Sequence, residues 1–216
     1  MDFPTKEEYD YIVIGGGTAG CPLAATLSEN YSVLVLERGN VPQAHPSVLN
    51  VSGLSAIGMP SNDSDSPNQE FTSEDGVVNQ RGRVLGGSSR INGGFYSRAD
   101  EEFFLKSGIE WDRASVESAY EWVEEALVSR STLAVWQSVV KEALLEAGVG
   151  PDNGFTLNHK LGTKESGSIF DEVGQRHGAD ELLSRGNSQN LRVAIHATVQ
   201  RIIFSTKDSS TFKSFF

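Results

Sequence analysis

Three glycines near the N-terminus stand between an apolar run and a helical pattern, where a chain can bring its backbone close to a phosphate. Gly15, Gly17 and Gly20 are spaced G-x-G-x-x-G, directly after YDYIVI at residues 9–14. In this arrangement the first glycine makes a tight turn, the second leaves room for a pyrophosphate, and the third lets the helix pack on the strand. Free N–H groups and the positive end of the helix dipole would then face the phosphates.

An acidic residue closes the next predicted strand. Glu37 follows the apolar run SVLVL, 17 residues after Gly20, where a carboxylate accepts hydrogen bonds from the ribose hydroxyls of an adenosine. Arg38 would line the adenine side. Strand, turn, helix and second strand predict a right-handed βαβ unit with parallel strands. A glycine-rich turn without a ligand does not explain the terminal acid, so we predict dinucleotide binding. The motif does not separate NAD from FAD.

A second glycine-rich segment, GRVLGGSSRINGGFY at residues 82–96, begins about 60 residues after the first. Its small residues permit backbone contact, its hydroxyl groups donate hydrogen bonds, and Asn92 offers both a donor and an acceptor. An NAD site does not need such a segment. A larger cofactor held along its length does, which makes a minimal NAD-binding module the weaker alternative.

The second segment resembles the first signature of the glucose–methanol–choline (GMC) oxidoreductases, which bind FAD. Only Leu105, at the far end, stands where that signature usually has a polar residue or alanine. The chain is similar to this family, and to its plant mandelonitrile lyase (hydroxynitrile lyase) branch, from about residue 9 to residue 204. The similar text includes YDYIVIGGGTAGCPLAATLSE, VLVLERG, GIEWD, RHGADELL and ATVQRIIF.

The resemblance implies an α/β, Rossmann-like FAD-binding fold with a parallel sheet, a helical insert at about residues 100–185 and truncation at the C-terminus. Residues 1–216 would then be an incomplete FAD-binding domain. Beside the three spaced glycines, it implies Thr18 and Ala19 at the diphosphate, Glu37 and Arg38 at the adenosine ribose, Val84 and Ser88 at the middle of FAD, Asn92, Gly93, Gly94 and Phe95 beside the flavin, and Val199 near the adenine.

The resemblance also implies where the chemistry lies. In this family a catalytic histidine, with a second histidine or asparagine, comes from the C-terminal part of a longer chain, so we predict no catalytic residue within residues 1–216. His45, His159, His177 and His196 show neither a nucleophile partner nor metal-ligand spacing. Three functions stay open: the FAD-binding portion of an oxidoreductase acting on CH–OH donors, a hydroxynitrile lyase whose flavin does no redox work, and a catalytically inactive flavin-binding fragment.

Other elements follow from periodicity. Residues 40–76 lack a sustained pattern and are predicted to be loop. Two apolar stripes predict two helices, residues 180–183 one short helical turn, and residues 191–195 and 199–204 two strands. Because the second of these strands would lack its continuation, we expect uncovered apolar surface and marginal stability. The first stripe is Val116, Tyr120, Val123 and Leu127; the second is Val135, Val139, Leu144 and Ala147, with Gly148 as the stop.

The composition limits the partners. With 29 acidic and 18 basic residues the formal charge is −11, which disfavours nucleic acid and anionic membrane, so we expect a small-molecule substrate. Cys21 is the single cysteine, which excludes an internal disulfide and a cysteine zinc cluster. We expect it to be a small packing residue, and we expect no metal site. Without an N-terminal signal the chain is cytoplasmic by default, although full-length proteins of this branch are often secreted or vacuolar.

Overall fold

The computed structural model describes residues 8–57, 64–130 and 132–204, and these contain ten strands and five α-helices. Short 3₁₀ turns connect several of them. The strands are β1 (Tyr11–Ile14), β2 (Val33–Leu36), β3 (Asn68–Thr72), β4 (Val78–Gly82), β5 (Phe95–Tyr96), β6 (Ser129–Arg130), β7 (Asp152–Phe155), β8 (Thr163–Glu165), β9 (Gly167–Ser168) and β10 (Leu191–Ala194). The helices are α1 (Gly20–Ser28), α2 (Leu54–Ile57), α3 (Glu101–Lys106), α4 (Arg113–Leu127) and α5 (Val135–Glu146).

A parallel sheet with strand order β1–β2–β10 contains the predicted βαβ unit. Tyr11 of β1 and Leu191 of β10 both lie opposite Val33 of the central strand. The predicted α/β fold with parallel strands is therefore confirmed. Helix α1 covers one face of the sheet, and a small core of Val13, Ala24, Val33 and Val35 forms between them, since an apolar face of a sheet must be buried against another element.

The chain returns to this sheet along α1. A 3₁₀ segment, Ala179–Arg185, packs on α1 with Leu182 fully buried, and it includes the short turn predicted at residues 180–183. Ser28, the last residue of α1, anchors the stretch of chain that leads into β10. Its hydroxyl accepts from the Asn187 N–H at 2.9 Å, and its carbonyl accepts from the Asn190 side chain at 2.8 Å. These contacts set the start of β10.

Part of the predicted loop at residues 40–76 is a strand. β3 pairs with β4 in an antiparallel hairpin, with Asn68 opposite Gly82. The polar sequences NQEFT and VNQRG lack the alternation that signals a half-buried strand, so the prediction of loop was wrong for β3. The residues of both strands are half-buried or exposed, so the backbone ladder joins them without a buried apolar face.

The two predicted helices form, but only one buries the predicted stripe. On α4 the stripe faces inward and ends in buried Leu127. On α5 the prediction was wrong, because Val135 is 83% exposed and Val139 57%. The face of α5 that bears Lys141 lies toward β7 and β8 instead, and the Lys141 ammonium bonds Asp152 and Glu165 there, each at 3.0 Å. Gly148 stops the helix as predicted, with φ +86°.

The strand predicted at residues 199–204 was also wrong. The strand expected at 191–195 forms as β10, but Val199–Phe204 has no regular secondary structure. Ile203 in this segment is 78% exposed. On the other side of the sheet, β1 pairs only with β2 in the described part of the chain. Within those same ranges, no helix has the length and apolarity that crossing a bilayer requires.

Candidate functional site

The first glycine turn has the geometry that the spacing predicts. Gly15 adopts φ +95°, which favours glycine, and its N–H donates to the Leu36 carbonyl at 2.8 Å. A Cβ on Gly20 would lie 2.0 Å from the Gly15 oxygen, so only glycine fits where α1 begins. The Cys21 N–H donates to the Gly17 carbonyl at 3.1 Å. The backbone N–H groups just before Cys21, at the start of the helix, are those that a helix leaves without an intrahelical acceptor.

The second glycine segment packs directly on the first. The Gly86 N–H donates to the Gly16 carbonyl at 2.7 Å, and a Cβ on Gly87 would lie 2.7 Å from the Gly17 Cα. Gly17 itself is different, because a Cβ there would meet only the Gly87 Cα, at 3.9 Å. The fold leaves room for a methyl group at Gly17, so a bare backbone at that position serves something other than internal packing.

Glu37 lies where β2 ends and is buried, with 5% of its surface exposed. Its Oε2 accepts from the Gly16 N–H at 2.9 Å and its Oε1 from the Gly39 N–H at 2.7 Å. A carboxylate has about four acceptor positions, so two remain. The backbone thus fixes the orientation of this carboxylate before any ligand arrives.

These elements surround a pocket of about 390 Å³. Seven of the predicted site residues line it, and the lining also includes residues that sequence reasoning did not single out as ligands. The predicted ones are Gly15, Gly17, Thr18, Glu37, Arg38, Ser88 and Val199. The others are Ile14, Leu36, Arg81, Gly82, Gly87, Ala197 and Thr198. Gly82 and Gly87 belong to the second glycine segment, and Arg81 lies just before it. Ala197 and Thr198 begin the family-like stretch ATVQRIIF, in which only Val199 was predicted to contact the cofactor.

The other predicted residues lie elsewhere. Ala19 and Gly20 line a second, more apolar hollow beside β1, and Val84 is fully buried, its backbone bridging to Asn40. Residues 92–95 continue beyond the pocket. The Asn92 N–H donates to the Ser88 carbonyl at 3.0 Å, which joins this stretch to the pocket wall. Asn92, Gly93 and Phe95 are exposed, and Gly94 is buried.

Two buried arginines hold the second segment. Arg90 makes a bidentate ion pair with Asp180, at 2.6 and 2.7 Å, and its Nη1 donates to the Arg176 carbonyl at 2.7 Å. Arg176 donates to carbonyl oxygens of Ser89, at 3.1 Å, and Asn92, at 2.7 Å. Burial, together with the positive charge of Arg90, lowers the pKa of Arg176 to about 10. Both lie in stretches that resemble the family, Arg90 in the second glycine segment and Arg176 at the start of RHGADELL, but neither was predicted to have a role.

Cys21 is a packing residue in the structure, as predicted. Its thiol is fully buried and donates to the Gly16 carbonyl at 3.2 Å. Burial raises the pKa of the Cys21 thiol to about 12. A thiol that stays protonated is a poor nucleophile, so its position near the start of α1 does not activate it.

Within the described residues, none of the four histidines lines the pocket. His177 lies between two carboxylates, with Nδ1 at 2.7 Å from Glu181 Oε2 and Nε2 at 3.5 Å from Asp171 Oδ2. His196 has φ +55° where the chain leaves β10. In the same ranges no group of three or more histidine, cysteine or acidic side chains is arranged to hold a metal ion.

A parallel βαβ sheet, a glycine turn at its carboxyl edge and a fixed acid at the end of β2 define a dinucleotide-binding α/β protein. The sequence profile described as GMC oxidoreductase, for the N-terminal domain, matches residues 9–212. The chain belongs to the GMC oxidoreductases. These are FAD-dependent flavoproteins, and FAD is the cofactor of this domain.

Curated plant proteins are similar over almost the whole chain. Sinalpyl alcohol oxidase Nec3 of Nesocodon mauritianus is 62% identical over 97% of this chain. An (R)-mandelonitrile lyase-like protein of Arabidopsis thaliana is 55% identical over 96%, and (R)-mandelonitrile lyase 2 of Prunus dulcis 52% over 97%. The chain spans 38%, 38% and 37% of their respective lengths.

Solved structures share the fold. Formate oxidase of Aspergillus oryzae superposes with a TM-score of 0.66 at 20% identity, covering 87% of this chain and 38% of that one. Pyridoxine 4-oxidase of Mesorbium loti gives a TM-score of 0.63 at 23% identity, covering 88% of this chain and 42% of that one. At these identities the likeness concerns the fold alone.

Proposed function

We propose that residues 1–216 form the FAD-binding portion of an oxidoreductase that acts on a CH–OH group of a small molecule. The observation that carries this proposal is the contact between the two glycine segments at Gly17 and Gly87, beside the fixed carboxylate of Glu37. Fourteen residues line the pocket between them. FAD is long, and it needs both a phosphate-binding turn and a second segment of bare backbone along its length.

The residues of the pocket fit this cofactor. The backbone N–H groups of Gly17 and Thr18, at the start of α1, would bind the diphosphate. Glu37 would accept from ribose hydroxyls with the acceptor positions that Gly16 and Gly39 leave open. Val199 would contact the adenine. Arg38, whose guanidinium also donates to the Gln69 side chain, would lie on the adenosine side.

The second segment would hold the remainder of the cofactor. Ser88 lines the pocket, and residues 92–95 would continue beside the flavin, with Val84 supporting them from within the fold. When bound, FAD supplies the hydride acceptor for oxidation of an alcohol. Within this chain we assign cofactor binding and no catalytic base. The helices and short strands between residues 100 and 185 would be an insert in that FAD-binding domain.

The test is to express residues 1–216, purify the protein and ask whether it is yellow. We expect a flavin absorption spectrum, release of FAD on denaturation, and rebinding of FAD by the apoprotein. Excess NAD should not displace the flavin. A soluble, folded protein that neither carries FAD nor binds added FAD would contradict the proposal.

A hydroxynitrile lyase is the second candidate, because relatives at 55% and 52% identity are an (R)-mandelonitrile lyase-like protein and an (R)-mandelonitrile lyase. The two functions differ in what happens to the flavin. Bleaching of the flavin on mixing with an aromatic alcohol would favour oxidation. Cyanide release from mandelonitrile, with the flavin remaining yellow, would favour the lyase. A yellow protein that does neither would be a flavin-binding fragment without catalysis of its own.

A further inference from the structure

Arg176 is a buried charge without an acidic partner. The residue is 1% exposed, and among the described residues it forms no ion pair. Its guanidinium lies over the Phe170 ring, 4.3 Å from the centroid. Its Nη groups donate to Ser89 O, Asn92 O and Asn92 Oδ1. A buried charge is costly unless it is hydrogen-bonded, so the role of this arginine lies in the three oxygens that it binds.

Two of those oxygens belong to Asn92. Asn92 Oδ1 accepts from Arg176 Nη1 at 2.9 Å and from the Gly94 N–H at 3.0 Å. A guanidinium and a backbone N–H only donate, so the atom between them must be the amide oxygen. The NH₂ group therefore points away from them. Asn92 is exposed, and its NH₂ donates to no acceptor in the described part of the chain.

We propose that Arg176 is a positioning residue that fixes Asn92 as a hydrogen-bond donor toward the bound cofactor. This rests on the proposed FAD site, in which residues 92–95 run beside the flavin. The group recognised at this point is an acceptor on the ligand, a carbonyl oxygen or ring nitrogen of a flavin. A purely structural reading is that Asn92 serves only as an acceptor that ties Gly94 to Arg176.

The variant Asn92→Asp separates the two readings. It keeps an oxygen for the Gly94 N–H and adds a charge-assisted bond to Arg176, but it removes the donor. If Asn92 only braces the loop, this variant binds FAD as well as wild type. If Asn92 donates to the cofactor, the variant is at least as stable, yet its Kd for FAD rises by about tenfold, the effect of one lost hydrogen bond.

The control for the added negative charge is Gln175→Glu, next to Arg176 on an exposed side chain, and we expect it to leave the Kd unchanged. Arg176→Lys keeps the cation but cannot reach the same oxygens with a planar fork. We expect it to weaken FAD binding, and Arg176→Lys combined with Asn92→Asp should bind no more weakly than Asn92→Asp alone. Independent weakening by the two changes would overturn the positioning role.

Nuclear magnetic resonance of wild-type protein gives a second readout. The side-chain NH₂ signals of Asn92 should shift when FAD is added, while those of Asn153, whose NH₂ already bonds Leu161 O at 2.9 Å, should not. Unshifted Asn92 signals in a protein that binds FAD would sink the inference and leave the proposed function intact. Failure of the wild-type chain to bind FAD would sink both. If Asn92→Asp does not fold, this titration alone decides.

Discussion

The two glycine segments meet at one pocket, but different forces hold them there. The first is fixed by its own neighbours in the chain: Gly15 bonds Leu36, and Gly16 bonds the Glu37 carboxylate. The second depends on Arg90, whose partner Asp180 is 90 positions away along the chain. The first segment is a phosphate-binding turn whose contacts with Leu36 and Glu37 come from a short stretch of the sequence. The second segment depends instead on contacts with residues that are distant in the sequence.

This difference predicts where single substitutions act. In the first segment the interactions are backbone hydrogen bonds and close packing, so steric change is the sensitive test. In the second, the buried ion pair of Arg90 with Asp180 holds the segment in place. Removal of the Arg90 charge is therefore the sensitive test, because it leaves the buried Asp180 without a counterion.

Arg90→Met should have the largest effect. It leaves Asp180, whose side chain is only 9% exposed, without its partner, and breaking a buried pair costs about 3–5 kcal/mol. Urea unfolding followed by circular dichroism would measure the loss. Arg185→Met is the matched control, because its partner Glu125 is 76% exposed and such pairs contribute at most about 1 kcal/mol. Equal losses in the two variants would mean that the second segment does not depend on Arg90.

Gly20→Ala should be the next largest. The added Cβ would lie 2.0 Å from a backbone oxygen, and such overpacking costs roughly 1–3 kcal/mol. The better helix propensity of alanine offsets up to about 1 kcal/mol of that loss. The same urea experiment measures it. Unfolding free energy at or above that of wild type would show that the first turn is less tightly packed than this distance indicates.

The first segment was predictable from the sequence because its determinants are local. Fewer than 30 consecutive residues contain the first strand, the turn, the helix, the second strand and Glu37. Both strands and the helix form as expected. The part that residues 197 and 198 play in the pocket wall was not predicted, although both lie beside Val199 in the family-like stretch ATVQRIIF. It depends on β10 pairing beside β2, and neither alanine nor threonine signals a site by its type.

The predictions that were wrong or absent failed for the same physical reason, which is that contacts between residues distant in the sequence decided the outcome. The apolar stripe of α5 predicted a buried face. In the structure the opposite side of the helix lies toward β7 and β8, where Lys141 bonds two carboxylates. Arg176 begins the family-like stretch RHGADELL, but that resemblance does not indicate its contacts, which appear only once Ser89 and Asn92 are folded against it. Sequence patterns indicate local geometry. They do not indicate which residue, distant in the sequence, a charged side chain will contact in the fold.

Gly17→Ala should separate binding from folding in the first segment. Its Cβ would make only an ordinary contact, 3.9 Å from Gly87, so we expect the unfolding free energy to stay within about 0.5 kcal/mol of wild type. The methyl group would face the pocket and hold the diphosphate away from the backbone. We expect the Kd for FAD to rise about tenfold or more, equivalent to about 1.4 kcal/mol. Titration of apoprotein with FAD would measure it, and unchanged affinity would remove Gly17 from the proposed site.

The smallest expected effect concerns Cys21, whose reactivity tests whether the two glycine segments stay in contact. No substitution at that contact is needed for this measurement. The Gly16 carbonyl accepts both the Cys21 thiol and the Gly86 N–H. Since burial raises the thiol pKa from 9.0 to about 12, the unfolded chain ionises first as the pH rises. This contribution to stability is complete below pH 9 and is lost between 9 and about 12. At pH 8 the Cys21 thiol is therefore much less ionised in the folded protein than in the unfolded chain.

Labelling of Cys21 by a thiol reagent at pH 8 should therefore be very slow in wild type. If the second segment can separate while the first stays folded, Arg90→Met should label much faster at urea concentrations below its unfolding transition. Arg185→Met should label as slowly as wild type. If labelling follows global unfolding in every variant, the two segments open together. The difference between local and long-range contacts would then describe the folded structure of the site and not its motion.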